Sequence, residues 1–134
     1  MRSLDGGVLV TNGTFTMNGG TIWGNRVTVA DHFDPNVPVP VHTGESQGGG
    51  GGVAVGERGL FDMRGGEIRD NRVDGMFAFG GGVYANYGGR FTMSGGSITN
   101  NLATNHGGVA GAFTRTGGTI SGNRARAIPG IHNY

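Results

Sequence analysis

One pattern recurs along this chain and governs what it can become. Its skeleton is Gly-Gly-Val, then Phe-x-Met-x-Gly-Gly-x-Ile-x-x-Asn. It occupies residues 6–27, 51–73, 81–103 and 107–125. Phe15, Phe61, Phe91 and Phe113 each stand four residues before a Gly pair. Ile22, Ile68, Ile98 and Ile120 stand three residues after the first Gly of that pair, and Asn25, Asn71, Asn101 and Asn123 three residues further on. Only the Met column breaks, where Met17, Met63 and Met93 are followed by Arg115. Successive Phe residues are 46, 30 and 22 residues apart, so the block from Phe to Asn is rigid and extra length lies outside it.

A rigid block with variable spacers predicts a solenoid, in which each repeat is one coil and insertions leave as loops. Three short extended segments are expected per coil: one after the first Gly pair, one at Phe-x-Met and one around the Ile. Alternation along a strand turns Phe and Met inward and Thr16, Asp62, Thr92 and Thr114 outward. Stacked coils pair as parallel strands about 4.8 Å apart, which lays Phe on Phe, Ile on Ile and Val on Val. An amide side chain carries donors and an acceptor, so the Asn column is expected to form a ladder that bonds coil to coil. The alternative is a set of unrelated turn asparagines, and either role is structural.

Composition removes the competing classes. Of 134 residues, 31 are Gly, and each interior Gly costs a helix roughly 1 kcal/mol against Ala. The glycines come in pairs and not at every third position, which excludes collagen. There is no Cys, hence no disulfide framework and no thiolate metal site. The net charge is +1 and all ten basic residues are Arg, a balance that supplies no field for nucleic acid or an anionic membrane. No run approaches the roughly 20 apolar residues of a membrane span. The opening MRSLDGG has no apolar segment, so no signal peptide is visible.

The expected fold is therefore all-β, a right-handed parallel β-helix of about four coils in a single domain. The coils fall at about 6–30, 51–74, 81–105 and 107–125, with an inserted loop at 31–50 and a tail at 126–134. The paired-Gly, Ile-x-x-Asn coils resemble the right-handed parallel β-helix repeats of bacterial cell-surface proteins, the polymorphic outer-membrane and autotransporter passengers. That resemblance covers roughly residues 5–125 and implies an extracellular or cell-surface, largely adhesive or structural role; polysaccharide-cleaving enzymes share the fold. Those passengers usually have many more coils, a signal peptide and a membrane anchor.

The interruptions supply the candidate sites. The 31–50 insertion holds His32, Asp34, His42 and Glu45, residue types able to bind a divalent cation, though their spacing matches no recognised site. A solvated or partner-contacting loop is the competing reading, and no cofactor is expected. Residues 74–80 contain Met76, Phe77 and Phe79, which either fold back over the coil or form a contact patch. The second coil concentrates charge, and Asp62, Glu67 and Asp70 are the residues an enzyme of the hydrolase or lyase type would use. All lie on one coil interleaved with Arg58, Arg64, Arg69 and Arg72, which suits an ion-paired outer face better. Trp23, Tyr84 and Tyr87 are able to stack on sugars or to serve as packing residues.

The ends complete the expectation. The first coil begins by residue 6 with no capping sequence before it, and Ile128, Ile131 and Tyr134 in the tail offer a small apolar lid or a self-contact. Two explanations follow: the chain is a fragment of a longer solenoid, or its two ends, which carry the same columns, pair in a heterologous, non-closing contact that builds a filament. The sequence thus predicts a non-catalytic structural or adhesive module that self-assembles as a homo-oligomer or filament. Its alternative is a carbohydrate-binding or polysaccharide-cleaving module.

Overall fold

A computed structural model of the chain describes residues 7–28, 48–75, 78–86 and 88–125. The first coil contributes β1 (Val8–Val10), β2 (Thr14–Met17), β3 (Thr21–Trp23) and β4 (Arg26–Thr28). After β5 (Gly48–Gly49) the second coil follows as β6 (Val53–Val55), β7 (Leu60–Met63), β8 (Glu67–Arg69) and β9 (Arg72–Asp74). After β10 (Ala78–Phe79) the third coil is β11 (Val83–Ala85), β12 (Arg90–Met93), β13 (Ser97–Thr99) and β14 (Leu102–Ala103). The fourth is β15 (Val109–Gly111), β16 (Phe113–Arg115), β17 (Thr119–Ser121) and β18 (Arg124–Ala125). No helix occurs among the described residues.

Equivalent strands stack into four parallel sheets, β1-β6-β11-β15, β2-β7-β12-β16, β3-β8-β13-β17 and β4-β9-β14-β18. This is a parallel β-helix of four coils, and the crossover rule gives its winding the right hand. The register follows the repeat: Phe15 pairs with Phe61, Phe61 with Phe91 and Phe91 with Phe113, and the Ile column is aligned likewise.

Each coil has four strands where the sequence suggests three. The added strand follows the Asn and is two or three residues long, too short to display a period. Its inward residues Val27, Val73 and Ala103 form a small core of their own beside the main one. The two insertions meet in a further short parallel pair, β5 with β10, which a sequence without internal pattern there does not reveal.

The main core is made of the columns. Phe61, Met63, Ile68, Ile98, Val53 and Val83 are fully enclosed, and Phe91 and Met93 nearly so. The Phe rings stack with centroids 5.2, 5.0 and 6.2 Å apart, so ring spacing tracks the strand spacing. Glycine makes the tight coil possible at its corners. Gly66 has φ +91°, and a Cβ on Gly51 would lie 2.4 Å from the Gly81 carbonyl of the next coil. The corner before each ladder Asn also has positive φ, taken by Gly24, Asp70 (56°), Asn100 (55°) and Gly122.

Candidate functional site

The Asn column is a continuous amide ladder. The backbone N–H and Nδ2 of Asn25 both donate to Asn71 Oδ1, at 3.1 and 3.0 Å. Asn71 donates in the same way to Asn101 Oδ1, and Asn101 to Asn123 Oδ1. Each Nδ2 also donates to the coil before it: Asn71 to the Ile22 carbonyl, Asn101 to Ile68 and Asn123 to Ile98. Asn71, Asn101 and Asn123 are buried, and the amides of Asn71 and Asn101 are satisfied on both sides, in an interior where an unpaired group costs about 1–3 kcal/mol.

The two end faces differ from the middle. Among the described residues β1, β2, β3 and β4 are the last strands of their sheets at one end, and β15, β16, β17 and β18 at the other. Val8, Phe15 and Ile22 at one face, and Phe113 and Ile120 at the other, are only partly buried against the core. Arg115 stands exposed in the Met column, directly over Met93. An inward-column charge on an edge strand is one way proteins restrain edge pairing.

The lateral surface gathers the charged residues into pairs. Asp62 accepts from Arg64 Nε at 2.9 Å and from the Thr92 hydroxyl at 3.2 Å. Arg69 bonds Asp70 and lies 3.5 Å from Glu67. Hydrogen bonding from Asp70 raises the Arg69 guanidinium further above its ordinary pKa. Asp62, Glu67 and Asp70 are thus each engaged by an arginine, while a glycosidase needs two facing carboxyls about 5–9 Å apart across a substrate. Asp70 has a separate reason to be there, since its corner needs the left-handed backbone that Asp and Asn tolerate.

Asp74 ties two coils together. Arg26 Nε reaches its Oδ2 at 2.9 Å and Arg72 Nε its Oδ1 at 2.8 Å. Burial pushes this carboxyl up, but the hydrogen bonds from Arg72 and Arg26 outweigh it and hold the pKa below the ordinary carboxylate value. The stacked Arg26 and Arg72 share this one acid, which offsets half of their charge and lies between them; its place beside Arg26 is not readable across 48 residues of sequence.

Trp23 is 61% exposed, with the Arg69 guanidinium 5.3 Å from its ring centroid. Phe79 folds back and stacks on Tyr84 at 5.5 Å, and it bridges to Asn105 of the third coil. The insertion therefore covers the outer side of the first sheet at that point. Met76, Phe77, Tyr87, Ile128, Ile131 and Tyr134 lie outside the described residues, as do the cation-binding candidates His32, Asp34, His42 and Glu45. Among the described residues there is no cluster of His, Asp and Glu suited to a metal ion. None of the described helices is long and apolar enough to cross a membrane, there being none.

Comparison with protein-family models, curated proteins and solved structures found no match.

Proposed function

We propose that this chain is a non-catalytic structural or adhesive β-solenoid that associates end to end into a fibre or surface layer. The observation that carries the reading is the pair of end faces, where the stacked sheets end among the described residues and Val8, Phe15, Ile22 and Ile120 are only partly buried. A second copy placed in register would continue the sheets and bury Val8, Phe15 and Ile22 against Ile120 and its neighbours. Arg115 opposes that contact, because it would meet Met17 of the next copy; its stem is long enough to lie on the Met with the guanidinium turned outward. An extracellular or cell-surface location rests on the resemblance of the repeat to bacterial surface passengers.

The test is sedimentation velocity with negative-stain imaging over a concentration series. Rods that lengthen with concentration support the proposal; a strict monomer at the highest concentration overturns it.

A polysaccharide-binding role is the second reading, and the exposed Trp23 beside Arg69, Glu67 and Asp70 favours it. Retention on a polysaccharide gel that Trp23→Ala abolishes would support that role, and equal elution of both proteins would remove it.

A further inference from the structure

The amide ladder has a direction, and its two ends are chemically different. At every junction the earlier Asn gives its N–H and Nδ2–H to the Oδ1 of the later one, and the later Nδ2 returns a bond to the Ile carbonyl of the earlier coil. Each junction thus repeats the same three bonds. At the first coil the ladder ends on Asn25 Oδ1, an acceptor that no donor among the described residues reaches. At the fourth it ends on the Asn123 N–H and a second Nδ2–H, donors that no acceptor among the described residues takes, beside the Ile120 carbonyl.

We infer that these unfilled ladder ends recognise a second copy of this chain and dictate a polar, head-to-tail contact. Asn123 of one molecule donates its N–H and Nδ2–H to Asn25 Oδ1 of the next, and that Asn25 returns its Nδ2–H to the first molecule's Ile120 carbonyl. The inference rests on the end-to-end reading above and adds its direction and register. A junction of two first-coil faces sets two Asn25 amides against each other and brings neither the Asn123 N–H nor the Ile120 carbonyl of the repeated junction. A junction of two fourth-coil faces sets two Asn123 amides together and lacks the Asn25 Oδ1. Only the head-to-tail arrangement repeats the three bonds of every interior junction, and burying a ladder group unpaired weakens association roughly tenfold or more. The aligned columns make the same arrangement favourable for packing, because Ile120 then continues onto Ile22.

The test uses single cysteines, which are unambiguous in a chain with no Cys. Thr21 and Thr119 are exposed, share one outward column and lie on opposite end coils, so replacing them leaves the core untouched. A short bis-maleimide is added to Thr21→Cys alone, Thr119→Cys alone and their equal mixture. The expected result is cross-linked dimer in the mixture and none in either variant alone. Cross-linking of either variant with itself overturns the polarity while leaving end-to-end association standing. No cross-linking in any sample, with rods still seen in sedimentation, overturns the end contact altogether, and a monomeric wild type overturns the underlying reading. Asn25→Ala isolates the ladder: a concentration requirement raised roughly tenfold or more, with an unchanged circular dichroism spectrum, is expected. Unaltered assembly of that variant overturns the assigned role of the amide.

Discussion

The two inner coils and the two outer coils carry nearly the same sequence in unequal surroundings. Phe61 and Phe91 are sandwiched between rings, while Phe15 terminates the stack and is only partly buried. Asn71 and Asn101 have ladder partners on both sides; Asn25 and Asn123 have them on one. The difference teaches that in a solenoid a residue's worth is set by its neighbours along the axis. The largest expected effect follows directly. Phe91→Ala should destabilise by about 3–5 kcal/mol in urea unfolding, and Phe15→Ala by about half as much, since less of its surface leaves water. Equal losses would break the comparison.

The ladder gives the next contrast. Asn101→Ala strips the acceptor from two Asn71 donors and should cost about 2–4 kcal/mol, while Asn25→Ala leaves no buried donor without its acceptor and should cost about 1 kcal/mol. Urea midpoints of the two variants measure this. Arg115→Met restores the one broken column on an outer coil. It should raise folding stability by about 1 kcal/mol and shift assembly to several-fold lower protein concentration, read by sedimentation. An unchanged assembly threshold would remove Arg115 as a restraint on the end face.

The smallest effect lies on the surface. The folded-state pKa of Asp74 is lowered, so its contribution is present above the unfolded value near pH 4 and is lost as pH falls through the folded value. Asp74→Asn should lower stability at pH 7 by no more than about 1 kcal/mol and flatten the decline below pH 4. Parallel curves for both proteins would show that the pairing with Arg26 and Arg72 adds nothing.

Much of the fold was legible because Phe, Ile and Asn recur in a block that tolerates no insertion. Such a block implies stacking, and stacking implies that like residues touch. The fourth strand was not legible, since Arg26–Thr28 and its equivalents are too short to show alternation. Asp70 looked like a candidate acid because its charge is visible in sequence, whereas its left-handed corner is not. Trp23 was an ambiguous aromatic until its strand direction placed it outside. The Arg26–Asp74 pair joins adjacent coils across a 48-residue gap that includes the longest insertion, and no local rule bridges it.

By itself the amino-acid order determined the architecture, because periodic apolar residues and paired glycines can bury their surface together only by winding into a stack. Tertiary structure alone decided the direction of the amide ladder and the chemistry of its ends. A side-chain amide offers donor and acceptor equally, and which of them faces the next coil depends on backbone geometry at the corner, which composition and spacing do not encode.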